Sequence, residues 1–134
     1  MKILVVEDHP TEQKLAHHVL SAAGYEVMSI QESERALEAV REHRPQVILL
    51  DMVLPGMDGL GLLRQLKADP ETKDIPVATI TSYPERYSRA TLTDAGCAAY
   101  FVKPLSTRTL PQDLENLVVK QRGGVSLKDE HPDC

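Results

Sequence analysis

The chain has 134 residues, 42% of them hydrophobic and 26% charged, which is the size and balance of one globular domain able to bury a full core without disulfides or a structural metal. A net charge of −5 argues against a nucleic-acid binder, which normally carries a basic patch, and no apolar run approaches the roughly 18 residues of a membrane span. The two cysteines, Cys97 and Cys134, are too few for a disulfide framework and fit a reducing, cytoplasmic setting.

The chain opens with "KILVV" (2–6), a β-branched apolar run that reads as a strand of the mature fold and not as a secretory leader. Helical spacing follows over 11–23, with Leu15, Val19, Leu20 and Ala23 on one face, and Gly24 stands where that helix should end. "YEVMSI" (25–30) is the second strand. Ala36, Leu37 and Val40 mark a helix over 33–43. Pro45 then introduces "QVILL" (46–50), continuously apolar as expected of a central strand covered on both sides. Leu62, Leu63 and Leu66 predict a helix over 59–67, with Asp58 as its cap and Gly59 in a tight turn. "IPVATI" (75–80) is the fourth strand. A weaker helical pattern over 85–95 is entered through Pro84 and closed by Gly96. "AAYFV" (98–102) is the fifth strand, and Leu110, Leu114, Leu117 and Val118 predict a last helix over 107–121. Pro111 would remove an internal hydrogen bond if that helix began at Ser106, so a start nearer Thr109 or a bent first turn is expected. Residues 123–134 are polar and glycine-led, a flexible tail after a single domain over 1–122.

Five strand–helix repeats imply an α/β, doubly wound fold with a parallel sheet; in the flavodoxin-like order 2-1-3-4-5, strand two lies off to one side. Ligands of such sheets bind at the carboxyl ends of the strands, near the switch in strand order. Strand one ends in Glu7-Asp8, strand three in Asp51, strand four in Thr81-Ser82 and strand five in Lys103-Pro104. Three acids, a hydroxyl and a lysine therefore converge on one edge. Clustered carboxylates repel unless a cation joins them, and an all-oxygen set with few carboxylates suits Mg²⁺. Asp51 is then a competent nucleophile toward a phosphoryl group, with Mg²⁺, Lys103 and the Thr81 hydroxyl each taking one phosphoryl oxygen. The product is an acyl phosphate on Asp51.

The pieces "LVVEDHP", "VILLDMVLPGMDG", "ITS" and "AAYFVKP", each after a strand and in this order, resemble the receiver domain of two-component response regulators, of the single-domain chemotaxis-Y type. The resemblance spans residues 2 to about 121. It implies that Glu7 and Asp8 bind Mg²⁺, that the backbone carbonyl of Val53 is a further ligand, and that Asp51 is phosphorylated. It also implies that Thr81 is a switch hydroxyl, that Lys103 pairs with the phosphoryl group across a cis bond to Pro104, and that Tyr100 is an aromatic that turns inward on activation. The implied donor is a histidine kinase or histidine phosphotransfer protein, and the implied output is contact with an effector protein or a further relay step. No nucleic acid or membrane is expected as partner. Arg86, Arg89, Arg108 and Lys120 lie on the fourth-helix to fifth-helix surface such domains use for partners or dimers, or form a solvated face.

Two positions depart from a fast self-hydrolysing receiver. Val53, two after Asp51, and Tyr83, two after Thr81, offer no carboxylate or amide to orient a water, so a slowly decaying phosphoryl form is expected. A haloacid-dehalogenase-like phosphatase would place its nucleophile after the first strand in a D-x-D arrangement, where this chain has Glu7-Asp8. A flavodoxin would need a phosphate where those same acids stand.

Overall fold

A computed structural model describes residues 2–7, 9–52, 59–81, 88–102 and 108–123, with the side chains of Ser33 and of residues 120–123 left out. The strands are β1 (Lys2–Val6), β2 (Glu26–Ile30), β3 (Val47–Asp51), β4 (Val77–Thr81) and β5 (Ala99–Val102). The helices are α1 (Pro10–Ala22), α2 (Ala36–His43), α3 (Gly59–Ala68), α4 (Arg89–Asp94) and α5 (Leu110–Gly123). All strand pairs are parallel, and the sheet order is β2-β1-β3-β4-β5, as expected.

Burial explains the order. Every residue of β3 and β4 is buried, so these strands need cover on both faces, whereas β2 has no buried residue and takes an edge. Alternation along the central strands divides the core into two layers. Ile48 and Leu50 pack with Leu62, Leu63 and Leu66 of α3 and with Ala36 and Val40 of α2. Val47 and Leu49 pack with Leu20 of α1 and with Leu110, Leu114 and Leu117 of α5. Each such leucine or isoleucine contributes about 1.5–3 kcal/mol on full burial.

Several element ends differ from their sequence expectation. On α1 the buried face is Ala16 and Leu20, while Leu15 and Ala23 are exposed. Ala16 and Leu20, four residues apart, share the buried stripe, and Leu15, one position away, falls outside it. The expected helix over 33–43 begins as a 3₁₀ turn, Ser33–Arg35, before α2. Helix α4 is shorter than the 85–95 pattern: Ser88 is its N-cap, its hydroxyl accepting from the Thr91 N–H at 3.2 Å, and Pro84 lies outside the described residues. Pro111 sits in the first turn of α5, where no intrahelical N–H bond is lost, and the Asp113 N–H reaches back to the Thr109 carbonyl at 2.9 Å. Gly24 and Gly96 close α1 and α4 at φ of 98° and 106°, the left-handed region that glycine enters without strain. Helix α2 ends the same way at Arg44, φ 50°, without glycine, and the Arg44 side chain donates to the Glu71 carbonyl at 3.2 Å.

Candidate functional site

Among the described residues five polar or charged side chains are buried, and three of them, Glu7, Asp51 and Thr81, stand at the carboxyl ends of β1, β3 and β4. These are consecutive strands at the middle of the sheet, about 4.8 Å apart. Asp51 and Thr81 are the last residues of their strands, not the first of a loop, so ladder pairing fixes their backbones. Asp51 pairs with Ile80, Thr81 pairs with Val102, and the Met52 N–H carries the ladder one step on to the Ile80 carbonyl at 2.9 Å. Glu7 is held in the same way, its N–H donating to the Ile30 carbonyl at 3.0 Å.

The turn into α1 is built around Glu7. Its Oε2 accepts from the His9 N–H at 3.2 Å, and its carbonyl accepts from the Gln13 side-chain amide at 3.0 Å. Gln13 was not singled out from the sequence. An amide in the first turns of a helix, aimed back at the preceding strand end, is the signal that could have found it.

The strand pleat sorts these residues onto two faces. Val5 and Leu49 belong to the α1/α5 layer, so Glu7 and Asp51, two positions further on, point to that side. Tyr100 packs against the α2–α4 layer and pairs with Thr79, so Thr79 and Thr81 share that side. The Thr79 hydroxyl donates to the Ala99 carbonyl at 3.1 Å, which ties β4 to β5 just below Thr81. Tyr100 is half-buried, and the guanidinium carbon of Arg89 lies 5.4 Å from its ring centroid.

Gly59 shapes the return of the chain. Its N–H donates to the Met52 carbonyl at 2.8 Å, and a Cβ there would lie 2.5 Å from the Met52 Cα and 2.6 Å from the Asp51 carbonyl oxygen. The expected tight turn is therefore a close backbone contact: α3 starts against the end of β3, which only glycine permits.

Asp8, Val53, Asp58, Lys103 and Pro104 lie outside the described residues, as do Ser82, Tyr83 and Arg86. Among the described residues no three His, Cys, Asp or Glu side chains form a metal-holding group. Glu7 and Asp51 supply two hard, buried oxygen donors on adjacent strands and one face, a donor set that suits Mg²⁺ and not a soft metal. A groove of about 590 Å³ opens beside β2, and its walls carry Glu32, Glu38 and Glu42 together with Arg35 and Gln13.

The response regulator receiver domain model matches residues 3–115. The polar-differentiation response regulator DivK of Brucella anthropi is 35% identical over 115 residues, covering 86% of this chain and 91% of that protein. A response regulator receiver domain (CheY-like) from Methanospirillum hungatei superimposes with a TM-score of 0.83 at 25% identity, over 92% of this chain and 98% of that one. The receiver domain of the sensor histidine kinase PA1611 of Pseudomonas aeruginosa, solved with a magnesium ion coordinated in the active-site cleft, superimposes with a TM-score of 0.80. Its identity is 27%, over 87% of this chain and 96% of that one.

Proposed function

Because the chain belongs to the response regulator receiver family, we propose that Asp51 accepts a phosphoryl group from the phosphohistidine of a histidine kinase or a histidine phosphotransfer protein. The observation that carries this is the burial of Glu7, Asp51 and Thr81 together at the carboxyl ends of three adjacent strands. A strand-end carboxylate that is nearly solvent-free and rigidly paired is placed for attack, not for solvation.

An Asp51 carboxylate oxygen attacks phosphorus, the P–N bond breaks, and the imidazole leaves with its electron pair and is reprotonated from solvent. Glu7, Asp8, Asp51 and the Val53 carbonyl would hold Mg²⁺, which when bound neutralises part of the phosphoryl charge. The Thr81 hydroxyl donates to one phosphoryl oxygen and Lys103 pairs with another. Burial of Glu7 and Asp51 keeps bulk water from competing with the donor. Thr81 and Tyr100 share the α2–α4 face, so a hydroxyl drawn toward a phosphoryl group alters packing on the side where Tyr100 lies.

The output is a change in protein–protein contact, to an effector or to the next protein of a relay, and the turnover assigned to the chain is confined to its own Asp51. Residues 1–122 act as the receiver and 123–134 as a tail. The cytoplasm is the fitting compartment; among the described residues no helix is long and apolar enough to cross a membrane. Intact mass after acetyl phosphate and Mg²⁺ tests the assignment. Wild type should gain one phosphate and Asp51→Ala none. A gain that persists in Asp51→Ala moves the acceptor elsewhere, and release of phosphate from small-molecule esters would favour a phosphatase.

A further inference from the structure

Strand β2 is an edge of the sheet: β1 pairs with one side of it, and no described strand lies on the other. The Ile30 carbonyl accepts from the Glu7 N–H on the β1 side, so, by the alternation of a parallel strand, the backbone groups of Val27 and Ser29 point to the open side. Met28 and Ile30 pack toward the α2 layer and are only partly buried. With Ala39 they give the groove of about 590 Å³ beside β2 its apolar lining. Carboxylates supply the rest. Glu38 and Glu42 stand one turn apart on α2, and Glu32 lies just beyond the end of β2. Arg35 lies 3.7 Å from Glu32, and the His43 imidazole, a cation only when protonated, lies 4.0 Å from Glu42. Glu38 meets no basic side chain among the described residues. Glu26, at the start of β2, is exposed as well.

An unpaired strand edge takes another strand, and the charge here selects which one. A second copy pairing through its own β2 would bring a second set of these acids to the same seam, like charge on like charge. A segment with lysine or arginine at alternate positions fits instead. Four residues along a helix rise about 6 Å and two along a strand about 6.6 Å, so alternate cations match the spacing of Glu38 and Glu42. Their methylene stems would cover Met28, Ile30 and Ala39 while the charged heads reach the carboxylates. We propose that the open edge of β2 and the groove beside it are a docking site for a basic, extended segment of a partner protein, added to the sheet as a further strand. The site shares no side chain with Glu7, Asp51 or Thr81.

Two peptides titrated into the whole chain test this by amide spectra and hydrogen exchange, one of alternating lysine and valine, the other of alternating glutamate and valine. The lysine peptide should shift the amides of Met28, Ile30, Glu38 and Glu42. It should also slow exchange at Val27 and Ser29, whose N–H groups gain a carbonyl partner. The glutamate peptide should do neither. Glu38→Gln and Glu42→Gln, on the exposed face of α2, should each weaken binding about 2–5-fold, and added salt should weaken it further. No binding, equal binding of both peptides, or binding unchanged in both glutamine variants would overturn the site. Shifts centred on Glu7 and Asp51 would move the basic segment to the carboxyl edge and overturn it as well. Shifts at Glu38 without slower exchange at Val27 and Ser29 would reduce the contact to surface attraction and sink strand addition. Protection of the same two amides that grows with protein concentration, with no peptide present, would give the edge to a second copy and overturn the basic partner.

Discussion

The two edges of the sheet use charge in opposite ways. At the amino edge several charged groups meet complementary partners. The Lys2 ammonium donates to the His43 carbonyl at 3.1 Å, and the Lys2 N–H and carbonyl exchange hydrogen bonds with Gln46. Arg41 pairs with Asp69, whose other carboxylate oxygen accepts from the Glu71 N–H at 2.9 Å. Lys67 donates to the Lys73 and Ile75 carbonyls at 2.9 and 2.8 Å, and buried Thr72 donates to the Leu66 carbonyl at 2.6 Å. At the carboxyl edge two acids, Glu7 and Asp51, are buried on neighbouring strands and the same face. Stability alone would disperse them, because like charges in a poorly solvated place repel. The amino edge ties strand starts to the neighbouring loops, and the carboxyl edge gathers two buried acids on one face.

The contrast can be broken from either side. The largest structural effect is expected at Gly59. Gly59→Val drives a side chain into the Met52 backbone and the Asp51 carbonyl. It should cost about 2–4 kcal/mol in denaturant unfolding and displace Asp51 from its place. A cost under about 0.5 kcal/mol would mean that the return of the chain is not tight.

Next is the cation. Mg²⁺ at about a hundred times its Kd should stabilise wild type by about 2.7 kcal/mol, and Glu7→Gln or Asp51→Asn should lose most of that gain. Equal Mg²⁺ response in all three, followed by thermal unfolding, would remove the metal from this edge.

Smaller is the effect on lifetime. The phosphoryl form of wild type should decay slowly, and Val53→Glu, which supplies a group to orient water, should speed decay at least about tenfold. Fast decay in wild type would assign water positioning to another group.

The smallest effect belongs to the amino edge. The Glu71 N–H, and then Arg41, hold the Asp69 carboxyl below the usual carboxylate range. A depressed folded pKa gives stability that is full above the unfolded value near 3.9 and is lost as pH falls through the lower folded value. Asp69→Asn should therefore flatten the acid limb of the stability curve and leave neutral-pH phosphorylation unchanged. Burial pushes the Lys67 ammonium below the usual lysine range, so the unfolded chain holds that proton more tightly and stability there rises with pH toward about 10.5.

Local patterns reached far in this chain. Apolar runs and helical spacing pointed to the five repeats and the parallel sheet, because strands covered on both faces are mostly apolar; the strand order came with the family resemblance. Gly24 and Gly96 announced helix ends, since few other residues enter positive φ cheaply. Strand ends announced Glu7, Asp51 and Thr81, for a charge after an apolar run is visible in one dimension. What one dimension lacks is distance between elements. That Glu7 and Asp51 share one face while Thr81 and Tyr100 share the other follows from register and pleat. That Leu15 faces outward and Ala16 inward follows from which stripe of α1 is turned to the sheet. The need for glycine at 59 comes from a backbone met seven residues earlier, and the pairing of Arg89 with Tyr100 from two elements whose sequence separation conceals their contact. The sequence determined which residue types stand at which strand ends. The tertiary structure decided which of those groups face one another, because only packing converts strand order into proximity.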